Sequence, residues 1–157
     1  LSSLENIILV ETEDAIMACK LDESQNVKKL YEKLKEQESD TIKLHKTVFR
    51  PWGYYTCMDS GEGYLTKTIC VMPKHKLSIQ SHNHRSEHWI VLQGKALVLK
   101  DGKEYNVYAG DSIDIPLGVK HSLQNPYDED LKIIEIQKGD YLSEDDIIRY
   151  EDCYGRV

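Results

Sequence analysis

No Cys-x-x-Cys pair occurs in the chain, and its four cysteines, Cys19, Cys57, Cys70 and Cys153, are widely scattered. That spacing suggests neither a zinc knuckle nor a disulfide framework, so free thiols in a reducing compartment are expected. No apolar run approaches the roughly 20 residues that span a bilayer, and no basic segment leads into a signal-like apolar stretch. A cytoplasmic protein with no membrane partner is therefore expected. Basic charge is also in short supply. Lysine and arginine number 20 against 27 aspartates and glutamates, a formal net charge of -7, which works against nucleic acid as a partner. There is no internal repeat and no low-complexity tract.

What remains is the balance of an ordinary globular protein, 40% hydrophobic and 30% charged. A chain of 157 residues can build one well-buried core and a short flanking element, but not two full enzymes. It starts at Leu1 and runs almost directly into Ile7-Ile8-Leu9-Val10, as though cut from something longer.

From Ser24 to Gln37 the apolar residues Val27, Leu30, Tyr31 and Leu34 fall at the spacing of a helical stripe, with Ser24 placed as N-cap. The stretch Glu36 to Asp40 is polar and aperiodic, which puts a boundary near Asp40 and divides the chain into residues 1–40 and 41–157. Beyond it, strands are predicted at 42–49, 54–58, 64–71, 77–82, 88–92, 95–100, 103–108, 112–115, 121–124 and 131–137. This density reads mainly β. Asp101-Gly102 suits a tight hairpin. Ser143, followed by Glu144, Asp145 and Asp146, has the acidic first turn of a helix start, predicting a short C-terminal helix through Tyr150.

In Gln80-Ser81-His82-Asn83-His84 a strand period of two would turn residues 80, 82 and 84 to one face, so that the imidazoles of His82 and His84 converge. Glu87, after a turn-like Arg85-Ser86, would share a face with Trp89 and Val91 and offer a carboxylate. A fourth ligand, His121, lies in Gly110-x5-Pro116-x-Gly118-x2-His121-x3-Asn125. A single histidine such as His45 or His75 is more simply a packed or solvated side chain; the cluster is a candidate metal centre.

The two blocks resemble the paired motifs of the cupin superfamily, Gly-x5-His-x-His-x3or4-Glu-x6-Gly and Gly-x5-Pro-x-Gly-x2-His-x3-Asn. The second is matched in full. The first departs at Lys76, where the opening glycine would stand, and in the two-residue gap between His84 and Glu87, which leaves Gln80 as a possible member of the shell. The resemblance implies a double-stranded β-helix, or jelly-roll barrel, with the metal in its mouth. Three histidines and one glutamate suit zinc, manganese, iron, cobalt or nickel.

Longer strings narrow the resemblance. Arg50-Pro51-Trp52-Gly53, Leu77-Ser78-Ile79-Gln80, His84-Arg85-Ser86-Glu87-His88-Trp89, Ile115-Pro116-Leu117-Gly118-Val119-Lys120-His121 and Tyr141-Leu142-Ser143-Glu144-Asp145-Asp146-Ile147 look like the C-terminal domain of bacterial type II phosphomannose isomerases. The ending Glu151-Asp152-Cys153-Tyr154-Gly155-Arg156 fits too. In that family the domain is usually fused behind a mannose-1-phosphate guanylyltransferase. Residues 1–40 then look like the tail and connecting helix of an upstream nucleotidyltransferase-like domain. The Gly-rich nucleotide-binding start of that enzyme is not present, so this chain is not expected to make GDP-mannose by itself.

The resemblance implies metal-dependent interconversion of mannose 6-phosphate and fructose 6-phosphate, feeding GDP-mannose synthesis, with a sugar phosphate as the ligand. Such chemistry needs a cationic clamp and a proton carrier. Arg85 is the candidate clamp, against a purely structural ion pair. Lys67 alternates with Leu65, Ile69 and Val71 on the expected inward face, where lysine is rare without a partner or task; the alternative is a snorkelling surface side chain. Glu135, between Ile133 and Gln137, is an inward acid candidate. His88 is a base candidate, although alternation turns it away from the metal. By the same alternation Lys120 points outward, and Arg149 and Arg156 reach phosphate only if the C-terminal segment folds over the mouth. Trp52 and Trp89 read as core or cavity wall. A homodimer is expected through exposed strands. The rival readings are a noncatalytic metal- or sugar-binding cupin and another cupin enzyme, such as an iron dioxygenase or a nucleotide-sugar epimerase.

Overall fold

Beyond residue 47, runs that alternate apolar and polar side chains become strands. The computed structural model describes residues 5–11, 16–36 and 47–155, and the chain divides into two units, 1–47 and 48–157. In the first, β1 (Ile7–Glu11) and β2 (Ile16–Lys20) pair as an antiparallel hairpin. A 3-10 turn at Leu21–Asn26 leads into helix α1 (Val27–Glu36). The helix starts later than the capping pattern predicts: Ser24 sits inside the 3-10 turn, which carries no side-chain cap. Gln37, Asp40, His45, Arg156 and the first part of the predicted 42–49 strand lie outside the described residues. Among the described residues, no helix is long and apolar enough to cross a membrane.

The second unit opens with β3 (Thr47–Arg50), β4 (Gly53–Gly61), β5 (Tyr64–Val71), the two-residue β6 (His75–Lys76) and β7 (Ile79–His82). It continues through β8 (Arg85–Gln93), β9 (Lys95–Lys100), β10 (Lys103–Tyr108), β11 (Ser112–Ile115) and β12 (His121–Asn125), and ends with β13 (Leu131–Gly139) and β14 (Ile147–Glu151). One sheet runs β10-β9-β12-β7-β14 with β6 beside β12; the other runs β11-β8-β13-β5-β4-β3. The β9–β10 hairpin turns on Asp101 and Gly102, at φ of 50° and 73°. Two successive positive φ values are what a type I′ turn needs, and the Asp-Gly pair supplies them.

The core is built from both sheets and includes Val71, Trp89, Val91, Val98, Leu123, Leu131 and Ile133. Across β5, β13 and β8 the inward residues line up in rows. Val71 pairs with Leu131, and Ile69, Ile133 and Val91 form the next row. Below them come Lys67, Glu135 and Trp89, then Leu65, Gln137 and Glu87, and finally Arg85 opposite Gly139. The strands therefore change from apolar to polar at one level, and that level sets the floor of the site.

The C-terminal segment differs from its predicted helix. A single 3-10 turn at Glu144–Asp146 is followed by β14, which pairs with β7. Ser143 makes no cap hydrogen bond. The Asp146 carboxylate instead accepts the backbone N–H groups of Asn83 (3.0 Å) and His84 (3.3 Å). The acidic run that resembles a helix start is used to hold a neighbouring bend, and residues 147–151 add a strand to the open edge of β7.

Candidate functional site

Three side chains from three strands converge: His82 at the end of β7, Glu87 in β8 and His121 at the start of β12. One ligand atom from each lies within 4.8 Å of the others, and all three residues are buried. His82 Nε2 is 3.0 Å from Glu87 Oε1, and His121 Nε2 is 3.5 Å from Oε2. Short as they are, these approaches lack hydrogen-bond geometry, and His82 Nδ1, His82 Nε2 and His121 Nε2 have no hydrogen-bond partner among the described residues. Buried polar atoms without partners are costly, so a cluster of three asks for a further ligand. On the far side of the His121 ring, Nδ1 lies 2.9 Å from the Val119 carbonyl. Donating there fixes the tautomer and leaves a lone pair on Nε2 facing the cluster. Two imidazoles and a carboxylate form a donor set that binds zinc and other first-row ions while leaving coordination positions for substrate. The residues present fit such an ion.

His84 is not part of this set. Strand β7 ends at His82, and Asn83 and His84 form a bend. The period of two stops there, so the His84 ring is turned out, 51% exposed, with Nδ1 3.5 Å from Asp140 Oδ1. Gly139 permits the bend, because a Cβ at that position would collide with the His84 carbonyl. Gln80 is the residue that shares the buried face, with its Cα paired to that of His121. Read from Gln80, the first motif regains its spacing: Gln80-x-His82-x4-Glu87-x6-Gly94. The opening glycine position then falls on Lys74 rather than Lys76, and Lys74 has a φ of 63°, a conformation that glycine adopts most easily.

Arg85 is not in a turn. It begins β8, is 2% exposed, and lies inside the barrel on the same face as Glu87. Its Nε donates to Glu87 Oε1 (3.2 Å) and Nη1 donates to the Ser143 carbonyl (2.9 Å). Trp89 Nε1 donates to both Glu87 Oε2 and Glu135 Oε2, each at 3.1 Å, and Gln137 Nε2 donates to Glu135 Oε1 at 2.7 Å. Burial and the neighbouring Glu87 charge push the Glu135 carboxyl up to about 7, against Lys67, Arg85 and Gln137. Lys67 is 5% exposed and donates to Glu144 Oε1 at 3.0 Å. Burial would lower its ammonium pKa, but Glu135 and Glu144 outweigh that effect and raise it. Lys67 is therefore held in its charged form.

His88 points to the other face, with a side chain 38% exposed and Nδ1 2.6 Å from Asp114 Oδ1. It does not line the cavity. Lys120 also faces away, over the Tyr150 ring at 3.8 Å. Arg149 does line the cavity, carried there by β14, as do Arg50, Tyr55, Gln137 and Glu144. Of these, Gln137 was legible from its place two residues after Glu135. Arg50 and Glu144 carry no local signal, since their roles come from contacts between distant segments.

Residues 37–152 match the family described as mannose-6-phosphate isomerase C-terminal. The chain belongs to this family. Among curated relatives it is 47% identical, over 96% of its length, to mannose-1-phosphate guanylyltransferase 2 of Escherichia coli O157:H7. It is 43% identical, over 98% of its length, to the mannose-1-phosphate guanylyltransferase ManC of Salmonella typhimurium. It covers 31% and 32% of those two proteins, about a third of each. Among solved structures, an oxalate decarboxylase of Lactobacillus farciminis superposes with a TM-score of 0.59 at 24% identity, over 66% of this chain and 33% of that one. A double-stranded β-helix protein of Klebsiella pneumoniae superposes at 0.56 and 15% identity, over 68% and 86%. The isomerase-family domain is thus a cupin barrel, as its motifs imply.

Proposed function

We propose that this domain interconverts mannose 6-phosphate and fructose 6-phosphate with the help of a divalent ion held by His82, Glu87 and His121. The observation that carries the reading is the polar floor of the barrel, where that cluster sits one row from a buried acid, Glu135, and a buried cation, Lys67. A bound ion would polarise the sugar carbonyl and favour the charge that develops on oxygen during the isomerisation.

The chain's own residues supply the rest. In the aldose-to-ketose direction, Glu135 takes the proton from carbon two and returns it to carbon one. The hydroxyl proton passes from oxygen two to oxygen one, so no atom is gained or lost. Trp89 and Gln137 fix the orientation of the Glu135 carboxylate, which positions a proton carrier without further reorganisation. Lys67, opposite Glu135, stays charged and favours the ionised form of that acid. Arg85 braces Glu87 and ties it to the 143 turn. Four lining cations, Arg50, Lys67, Arg85 and Arg149, face three lining carboxylates, Glu87, Glu135 and Glu144, a balance that accepts an anionic substrate, the more so with a divalent ion bound. In a longer protein of the kind its relatives represent, this step would supply mannose 6-phosphate, which a separate transfer of phosphate from oxygen six to oxygen one must convert before a mannose-1-phosphate guanylyltransferase can use it.

The test is a coupled assay for fructose 6-phosphate formed from mannose 6-phosphate by the chelator-stripped chain, before and after zinc, manganese, cobalt or nickel is added. Turnover that appears only with metal and disappears in Glu135→Gln is expected. Metal binding without turnover under every condition would instead support a binding module.

A further inference from the structure

We infer that Arg50 and Lys67 form the seat for the phosphate of the substrate, and that Glu144 occupies this seat until the phosphate displaces it. The inference rests on the sugar-phosphate reading above and names the part of the site that reads the phosphate.

Glu144 sits across the two cations as a phosphate would. Its Oε1 is 3.0 Å from Lys67 Nζ and its Oε2 is 3.6 Å from Arg50 Nη2. Lys67 is buried, with a side chain 7% exposed, whereas that of Glu144 is 42% exposed. The carboxylate is therefore the solvent-facing member of the pair and can leave, while the ammonium cannot. Behind it, Arg149 lines the same cavity with an Nε that is buried and has no hydrogen-bond partner among the described residues. A buried donor without a partner asks for an acceptor.

The space itself requires a displacement. The cavity behind Glu144 has a volume of about 50 Å³, whereas pockets that take small molecules hold roughly 300–1,000 Å³. A hexose phosphate therefore needs lining side chains to move, and Glu144 is a lightly held one. It lies on a single 3-10 turn, whose ends are anchored by other groups, the Ser143 carbonyl on Arg85 and the Asp146 carboxylate on the 83–84 bend. The Glu144 side chain can swing out without unpicking these anchors. Exchange of one anion for another keeps an acceptor on the buried Lys67 ammonium throughout, as the amide oxygen of Glu144→Gln also would. A phosphate monoester brings more charge and more acceptor oxygens than a carboxylate, so it wins the exchange.

Calorimetric titration of the metal-free chain with inorganic phosphate and with fructose 6-phosphate tests this at low ionic strength. Glu144→Gln should bind both about tenfold more tightly, and Lys67→Met and Arg50→Gln about tenfold more weakly, the scale of one charge-assisted contact. Unphosphorylated fructose should show no such response. Circular dichroism and cobalt binding at the histidine cluster confirm that each variant is folded, and Arg50, which is partly exposed, can be changed without burying an unpaired charge. Unchanged or weaker phosphate binding in folded Glu144→Gln, or unchanged binding in Arg50→Gln, would overturn the seat. If phosphate affinity responds as expected but no isomerase turnover is found, the seat stands and the reaction assignment falls. Turnover with no change in phosphate affinity means the reverse.

Discussion

The two ends of the barrel interior are built by the same strands yet differ in chemistry. On β5, β13 and β8 the inward positions are Val71, Ile69, Leu131, Ile133 and Val91 at one end, all apolar, and Lys67, Glu135, Gln137, Glu87 and Arg85 at the other, where only Trp89 and Leu65 are apolar. Strand register is common to both ends, so the backbone ladder cannot account for the difference. The apolar end gains stability by removing hydrocarbon from water, roughly 1.5–3 kcal/mol for each large side chain. The polar end works against stability. It buries a carboxylate held at about 7, three histidine nitrogens without hydrogen-bond partners among the described residues, and a lysine. The contrast shows which half makes the fold and which half the apolar core supports for another purpose.

Truncation at the apolar end should have the largest effect. Ile133 and Leu131 are 0% exposed, and either one changed to alanine should lower unfolding stability by about 3 kcal/mol through lost burial and the cavity left behind. Metal affinity of the folded fraction should not change. Denaturant titration paired with metal titration measures both, and a loss of metal affinity matching the loss of stability would show that the two ends are not separable.

At the polar end the sign should reverse. The folded Glu135 carboxyl is raised from 4.5 to about 7, so the folded state binds its proton more tightly than the unfolded state does. Stability therefore falls as pH rises from about 4.5 to about 7 and is level above that. Glu135→Gln should stabilise the metal-free chain by up to about 3 kcal/mol at pH 8, with the gain absent below pH 4.5. A destabilised variant at pH 8 would mean that Glu135 is a structural residue.

The smallest effect belongs to the rim. Lys67 and Arg50 hold the Glu144 carboxyl below 4.5 against the effect of burial. Its contribution is fully present above the unfolded pKa and is lost as pH falls through the lower folded value. Because the Glu144 side chain is 42% exposed, screening keeps the contribution under about 1 kcal/mol. The difference in melting temperature between the wild type and Glu144→Gln should be small at pH 7 and vanish at acid pH.

Much of this division could be read from the sequence, because a period of two reports faces directly. Alternation alone put Lys67 and Glu135 inside and His88 outside, and residues 64–71, 95–100, 103–108 and 112–115 form strands over the predicted ranges. Where alternation breaks, the reading fails. His84 was carried along the period past the true end of β7, and the two-residue bend that follows turned it out to solvent. Residues 144–150 imitate a helix start because the acids serve as an anion plug and a bend staple rather than as a dipole partner. Arg50 and Glu144 come from segments far apart in the sequence, and no local pattern encodes their meeting.

The central claim is that the polar end is a metal centre of three residues, and visible absorption during cobalt titration of the chelator-stripped chain tests it most directly. One equivalent should bind to the wild type and to His84→Ala, and binding should be lost in His121→Ala. Cobalt that fails to bind the wild type, or that binds His121→Ala as well as it binds His84→Ala, would contradict the account.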